Sequence, residues 1–290
     1  MAKKIEQLKR TYESIPVPSK LEDLVEKGLQ KPSFRKKRKV SLYIVFVAAA
    51  VLCLTISLNT SAAMAKALSE VPVLGQVVKV LTFTKYELTK DEYHVKIEVP
   101  KIEGSSAEIQ ALNQAYEEEG KVLYEQFQEE IEQMEAGNMA LSSGYIIQTD
   151  NDQLLSFGRY IEVTVVSSST VMTYTTIDKQ AETVITLPSL FKNDEYIQMI
   201  NVYIEQYLRE RMLETNGDEI YWIGGTPYHD EGMGVFEGIT ATQNFYITPE
   251  GKLVLSFNDY EIAPGFMGVV TVEIPTSYLQ QMLVSNKYIK

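Results

Sequence analysis

Residues 40–58 read VSLYIVFVAAAVLCLTISL, a run of 19 residues without a charged side chain. At about 1.5 Å of rise per residue, a helix over this run would be roughly 28 Å long, close to the hydrocarbon thickness of a bilayer, about 30 Å. Five consecutive cations, residues 35–39, stand directly before it. We therefore expect a transmembrane helix over residues 40–62, with the cations in the cytoplasm and the C-terminal body outside the cell.

Two alternatives to a retained span stay open on the residues alone. The first is a buried helix of a soluble protein, which the five flanking cations disfavour. The second is a cleaved signal peptide, although its charged leader, residues 1–39, would be much longer than usual. Both alternatives would leave the C-terminal body as the folded part of the protein.

The exit from the predicted span, residues 60–67, reads TSAAMAKA. Small residues at alternate positions fit the preference of signal peptidase, either at Ala63 and Ala65 or at Ala65 and Ala67. The alternative is a helix end that happens to be rich in small residues. With a span and a cleavage site together, the chain would be a type II membrane protein that is cut only under particular conditions.

The charges divide at the span. The formal net charge of the 290 residues is -12. Residues 1–40 carry 12 basic and 5 acidic residues, a charge of +7, and residues 41–65 carry none. Residues 66–290 carry 15 basic and 34 acidic residues, a charge of -19. This division indicates a cytoplasmic, a membrane and an external part.

The predicted cytoplasmic segment, residues 1–39, is too short to bury a core of its own. Ser19 and Glu22 have the spacing of a capping box at the start of a helix. Behind them runs one apolar stripe at helical spacing, formed by Leu21, Leu24, Val25 and Leu29. An exposed stripe of this kind implies a partner protein or the membrane surface, and we expect it to fold on a protein.

The external part is predicted to be α+β, with a juxtamembrane segment at residues 63–81 and two small sheet-plus-helix units at 82–180 and 181–290. The sheets are expected to be antiparallel or mixed. For the first unit, alternation predicts strands within 82–100 and a hairpin over 160–177, whose tip is Ser167-Ser168-Ser169-Thr170. A helical apolar pattern covers residues 105–136, and the acidic residues between its apolar positions, Glu119 among them, are expected to face solvent.

For the second unit, the apolar pattern predicts a helix whose buried face runs from Ile197 to Met212. Strand candidates follow at residues 244–247, 253–257 and 268–274, and a short last helix at 276–284.

The residues that carry most enzyme chemistry are scarce. There is one Cys, so no intramolecular disulfide can form, and there are two His. The sequence has no G-x-S-x-G, H-E-x-x-H or phosphate-binding glycine loop. His94 falls on the polar side of a strand pattern, and Tyr228-His229-Asp230-Glu231 is a poor metal site because adjacent loop residues rarely converge on one ion. We expect no catalytic activity, no cofactor and no metal.

Several segments together resemble a known family. They are the basic head that ends in RKKRK at 35–39, the single span, VPVLG at 71–75, and the C-terminal stretch that includes FNDYEIAPGFMG at 257–268 and Ile274-Pro275. Together they resemble membrane-anchored anti-sigma factors of the RsiV type (anti-sigma-V) from low-GC Gram-positive bacteria. The C-terminal pattern is also similar to a domain found beside peptidoglycan deacetylase domains.

The resemblance implies a function for each part of the chain. The cytoplasmic head would hold an extracytoplasmic-function (ECF) sigma factor inactive at the membrane, without contacting nucleic acid itself. The external part would bind lysozyme, which permits signal peptidase to cut outside the span and an intramembrane metalloprotease to cut within it. Animal-type lysozymes are strongly basic, so an external charge of -19 suits them.

For lysozyme contact the sequence favours a turn at Pro264 and Phe266, where a rigid loop carries an aromatic side chain, together with Ser168 and Ser169 on the hairpin. The alternative for Phe266 is a place in the core, and Tyr260 is expected to be a core residue. A cell-wall binding module is the alternative function. It leaves the cytoplasmic apolar stripe without a purpose, and a hydrolase would lack a catalytic constellation.

Overall fold

The computed structural model describes residues 79–133, 138–226 and 235–290. The predicted cytoplasmic segment, span and cleavage motif lie outside these ranges, as does the histidine at position 229. Within them, no helix has the length and apolarity needed to cross a membrane. The α+β expectation for the external part is confirmed by two sheets, each packed against a helix.

The first sheet has six strands in the described residues, in the order β1-β2-β3-β4-β5-β6. β2 and β3 are parallel and every other pair is antiparallel, so the sheet is mixed. The strands are β1 (Val80–Lys90), β2 (Tyr93–Ile102), β3 (Met139–Asp150), β4 (Leu154–Thr164), β5 (Ser168–Asp178) and β6 (Thr183–Ile185). Helix α1 (Ala107–Gln133) crosses between β2 and β3.

The period-2 alternation that predicts β2 also sets its burial: Val95, Ile97 and Val99 are buried and His94 is exposed. Helix α1 covers this face with the apolar positions of its 3.6-residue period, which include Ile109, Leu112, Tyr116, Leu123 and Phe127. Gly120 permits the close approach, because a Cβ there would lie 2.4 Å from a methyl of Val99. The first core therefore lies between α1 and the sheet.

The second sheet is antiparallel, with three strands in the described residues in the order β7-β8-β9. Its elements are α2 (Glu195–Glu214), β7 (Phe245–Ile247), β8 (Leu253–Phe257), β9 (Val270–Ile274) and α3 (Thr276–Leu279). α2 buries a side chain about once per turn, at Tyr196, Ile200, Ile204, Leu208 and Met212. The last helix is shorter than the expected 276–284, because a turn follows Leu279.

The two sheets belong to one compact unit. Tyr174 of β5 packs on Tyr246 of β7 with ring centres 4.8 Å apart, and the Thr149 hydroxyl donates a hydrogen bond of 2.6 Å to the carbonyl of Ile247. Near the end of β5, the buried carboxylate of Asp178 accepts hydrogen bonds from Lys287 and Tyr288. The second sheet and its helix are thus held firmly on the first sheet.

Strand directions divide the six-stranded sheet into two ends. The base end holds the start of β1, where the chain arrives from residue 79, and the end of β3. The tip end holds the β4–β5 turn, because β4 runs antiparallel to β3 and its Thr164 pairs with Ala140. At about 3.3 Å per residue, the 11 residues of β4 separate the two ends by roughly 36 Å.

Candidate ligand-binding surface

The β4–β5 hairpin forms one half of the candidate surface. Its turn is formed by residues 165–167, with Val166 85% exposed. The predicted tip, residues 167–170, therefore lies mostly at the start of β5 and not in the turn. Ser168 and Ser169 are exposed and begin β5. The hydroxyls of Ser168 and Thr164 share a hydrogen bond of 2.8 Å across the hairpin, which holds Ser168 in place.

The segment between β8 and β9 forms the other half. Pro264 has φ -61° and precedes a 3-10 turn, Gly265–Met267, on which Phe266 projects with 69% of its surface exposed. The core alternative for Phe266 is therefore wrong. Tyr260 is 55% exposed with φ +63°, so the expectation that it belongs to the core is also wrong.

Tyr260 supports the turn from outside the core. A Cβ added at Gly265 would lie 2.2 Å from the Tyr260 ring, so only glycine lets the ring pack against the turn backbone. Two residues that precede the turn, Ile262 and Ala263, are buried in the core around the second sheet. The carbonyl of Ile262 accepts a hydrogen bond of 2.8 Å from the backbone N–H of Trp222. Phe266 is thus an exposed side chain on a turn fixed from both sides.

The structure joins the two halves at the edge of β5. The short β6 covers β5 only at residues 176–178, which leaves the N–H groups of Thr170, Met172 and Tyr174 without strand partners. Side chains of the second unit accept all three hydrogen bonds at 2.7–2.8 Å, from Asp259, Asn258 and Asn244 respectively. The hairpin with Ser168 and Ser169 and the turn with Phe266 therefore form one surface at the tip end.

The surface also has a defined electrostatic character. No basic residue occurs between Arg159 and Lys179, or between Lys252 and Lys287, the two segments that build it. Both segments carry acidic residues, among them Glu162, Asp259 and Glu261. A cationic partner would meet no like charge from these segments.

Sequence reasoning missed the residues that assemble this surface. Asn244, Asn258 and Asp259 read as ordinary turn residues, since Asn and Asp are common in turns for purely local reasons. Their partners on β5 lie 70 to 89 residues away along the chain, and no local pattern reports that contact. In the described residues, no group of three His, Cys, Asp or Glu side chains could hold a metal ion.

Part of the chain matches a family model, and its fold is similar to that of solved proteins. A family described as Protein of unknown function (DUF3298) matches residues 188–277, which include α2, β7–β9 and the Phe266 turn. The crystal structure of a DUF3298 family protein from Pseudomonas aeruginosa PAO1 matches with a TM-score of 0.50 and 13% identity, over 75% of this chain and 99% of that chain. A DUF3298 member from Bacteroides fragilis NCTC 9343 matches with a TM-score of 0.48 and 16% identity, over 74% and 96% of the two chains.

A closer relationship covers the whole length. The chain is 36% identical over 292 residues to the anti-sigma-V factor RsiV of Bacillus subtilis (strain 168), and the match covers 100% of both sequences. The chain belongs to the family of RsiV-type anti-sigma factors, as the sequence resemblance predicts. The match includes both the N-terminal residues outside the described ranges and the α+β body.

Proposed function

We propose that this protein is a single-pass membrane anti-sigma factor that senses lysozyme. Residues 1–39 bind an ECF sigma factor in the cytoplasm, residues 40–62 span the membrane, and the body that follows the juxtamembrane segment 63–81 lies outside. Membership of the RsiV-type family supports the anti-sigma role. The charge division of +7, zero and -19 supports the topology.

The observation that carries the lysozyme proposal is the joined surface at the tip end. Phe266 stands exposed on a turn that Pro264, Tyr260 and the Asp259–Thr170 hydrogen bond hold in place. A rigid aromatic side chain enters a concave cleft at little entropic cost, because its turn is already ordered before binding. Ser168 and Ser169 add hydrogen-bonding groups beside it.

Release of the sigma factor follows from binding in this proposal. Lysozyme on the tip makes the juxtamembrane segment available to signal peptidase, which cuts at Ala63 and Ala65 or at Ala65 and Ala67. An intramembrane metalloprotease then cuts the span. This cut frees the sigma factor that the cytoplasmic stripe of Leu21, Leu24, Val25 and Leu29 had held at the membrane.

The test adds lysozyme to cells that carry the full-length protein and a sigma-dependent reporter. Wild type should shorten near residue 65 and switch the reporter on, whereas Phe266→Ala should do neither at the same dose. Alanine at Leu21, Leu24, Val25 and Leu29 should leave the reporter on without lysozyme. Unchanged length of the wild-type protein after lysozyme addition contradicts the sensing proposal, and full repression by the stripe variant contradicts the sigma-binding assignment.

Direct binding separates a contact residue from a structural one. Phe266→Ala should weaken lysozyme binding by at least about 30-fold, the effect of losing about 2 kcal/mol at an interface hot spot. Phe83→Ala is the matched control, since Phe83 is 58% exposed but lies on β1 at the base end. Binding of the wild-type protein to purified glycan strands in the absence of lysozyme would instead favour the wall-binding alternative.

A further inference from the structure

The base end of the six-stranded sheet carries large apolar side chains that nothing covers in the described structure. Leu81 and Phe83 of β1 are 50% and 58% exposed, and Ile146 and Ile147 of β3 are 50% and 46% exposed. Single exposed apolar residues are common on soluble proteins, but a cluster marks a contact surface. Ile146 and Ile147 are consecutive on one strand, so their side chains point to opposite faces of the sheet. We call Leu81, Phe83 and Ile146 the base patch.

The three residues lie on the same face of the sheet, because each is one position along its strand from Thr82 or Tyr145, which meet on the other face. The Thr82 hydroxyl and the Tyr145 hydroxyl lie 3.1 Å apart across β2, so the start of β1 and the end of β3 stand at the same level of the sheet. Two strand spacings, about 10 Å, separate these strands. The base patch therefore lies on one face at one end of the sheet, with β2 between its two strands.

A cation borders the patch. Lys101 pairs in register with Leu81, and its ammonium lies 4.1 Å from the centre of the Phe83 ring. Aromatic rings and lysine side chains beside apolar surface are typical of protein regions that contact the membrane–water interface. Two nearby acidic side chains are already paired, Asp150 with Lys179 and Glu182 with the backbone N–H groups of Ser105 and Ser106.

The order of segments along the chain places the predicted membrane span close to the base patch in sequence. β1 begins at Val80, so Leu81 and Phe83 are the patch residues nearest in sequence to the uncharged run at 40–58. In sequence, residues 59–79 separate that run from β1. The candidate ligand-binding surface lies at the other end of the sheet, about 36 Å away by the length of β4.

We propose that the base patch rests in the headgroup region of the membrane and holds the body upright, with Phe266 and the hairpin turn pointing away from the lipid. This inference rests on the proposed membrane span. Lipid contact keeps the binding surface at a set distance from the bilayer, and it holds the juxtamembrane segment between the body and the membrane. The alternative occupant of the base patch is a second copy of the chain, because β1 has only β2 as a strand neighbour in the described residues and could pair with another strand.

The test uses the full-length protein in vesicles of phosphatidylcholine, with and without phosphatidylglycerol. Cys53 is the one native cysteine, so a Cys53→Ser background accepts a single environment-sensitive fluorophore at Phe83→Cys or Ile146→Cys. The control is Val166→Cys, which is 85% exposed at the tip end. A spin label on the lipid headgroup should remove at least about half of the fluorescence at 83 and 146 and leave 166 unchanged, because interfacial groups lie within about 10 Å of the lipid boundary.

Each outcome decides one point. Equal quenching at all three positions, or none at 83 and 146 in vesicle-bound protein, overturns the lipid contact. Protection of 83 from an aqueous quencher without lipid quenching, in a protein that sediments as a dimer in detergent, assigns the patch to a second copy and also overturns it. Failure of the protein to float with vesicles overturns the membrane span itself. If the same protein still represses the reporter in cells, the anti-sigma role holds although the lipid contact and the span do not.

Discussion

The ion pair of Arg159 and Glu119 shows how a single residue departs from its local pattern. Glu119 falls among acidic residues on α1 that the sequence assigns to solvent, yet it is buried and bound to Arg159 of β4. The guanidinium also lies 4.1 Å from the centre of the Tyr116 ring. Burial lowers the pKa of Arg159, but the charges and hydrogen bonds of Glu119 and Tyr116 together outweigh burial, so the pKa is raised.

This pair predicts a strongly asymmetric mutational response. Glu119→Leu or Arg159→Met alone should cost about 3–5 kcal/mol, because each leaves one buried group without its partner, whereas the double change Glu119→Leu with Arg159→Met should cost much less. Urea unfolding followed by far-ultraviolet circular dichroism measures both. The control is Glu125→Gln, which breaks an exposed pair with Lys121 at 4.0 Å and should cost no more than about 0.5 kcal/mol. Additive single and double effects would contradict the pairing.

Asp178 gives the fold a dependence on acid. Its carboxylate is fully buried and accepts hydrogen bonds from Lys287 at 2.5 Å and Tyr288 at 2.6 Å. Burial raises the pKa of Asp178, but these hydrogen bonds together lower it by more than burial raises it. The pKa therefore lies below its ordinary 3.8. Because the folded pKa is depressed, the stabilisation is present above the unfolded value and is lost as the pH falls through the folded value.

We therefore expect Asp178→Asn to be less stable than wild type at pH 7, with a difference that shrinks below about pH 4. The fluorescence of Trp222, the single and buried tryptophan, reports unfolding in urea at each pH. Asp152→Asn, at an exposed loop position, should track wild type throughout. A stability difference that stays constant from pH 7 to pH 2 would show that the Asp178 carboxylate does not carry this effect.

At the scale of elements, the edge of β5 couples the two sheets to the candidate surface. Three side chains from the second unit take the place of a strand along this edge. They satisfy N–H groups that would otherwise form an open edge, and they fix the Phe266 turn relative to the hairpin. The position of Phe266 therefore depends on the hydrogen bonds along the part of the β5 edge that β6 leaves uncovered.

Asp259→Ala tests this coupling. The Thr170 N–H loses its acceptor, which should cost about 1–3 kcal/mol, and lysozyme binding should weaken although Phe266 is still present. Asp259→Asn keeps an acceptor oxygen and should retain most of the stability and affinity. Affinity measured by surface plasmon resonance beside urea unfolding separates the two effects. If Asp259→Ala binds like wild type, the hydrogen bond does not position the turn.

Among the elements, those with a regular period could be predicted. The alternation in β2 and the helical stripes of α1 and α2 are confirmed because burial on one face follows directly from the period. β3 was missed, because its sequence MALSSGYIIQTD lacks a regular alternation and it pairs in parallel with β2 across the whole of α1. β6 was missed because three residues are too few for a pattern.

At the scale of the molecule, charge and the two ends of the first sheet act together in the proposed function. Residues 66–290 carry a formal charge of -19, and the segments that build the tip surface contain no cation. Long-range attraction of a basic ligand changes mainly its association rate and is screened by salt, with a Debye length of about 8 Å at physiological ionic strength.

Lysozyme should therefore associate with the protein about tenfold or more slowly when salt rises from about 50 to about 500 mM, with little change in its dissociation rate. Stopped-flow or surface plasmon resonance measurements give both constants. Phe266→Ala is the contrasting variant, since loss of a buried contact should accelerate dissociation and leave the salt dependence intact. An association rate that ignores salt would remove the acidic body from the recognition mechanism.

The sequence by itself determined the charge division, the uncharged run at 40–58, the α+β class of the body and the turn at Pro264 and Phe266, but it left open whether Phe266 is exposed or lies in the core. These features depend on composition and on spacings of a few residues, which can be read locally. The tertiary structure alone decided the burial of Glu119, the joining of the hairpin to the Phe266 turn and the opposition of the base and tip ends. Each depends on contacts between residues 40 or more positions apart, such as Glu119 with Arg159, and local periodicity carries no information about them.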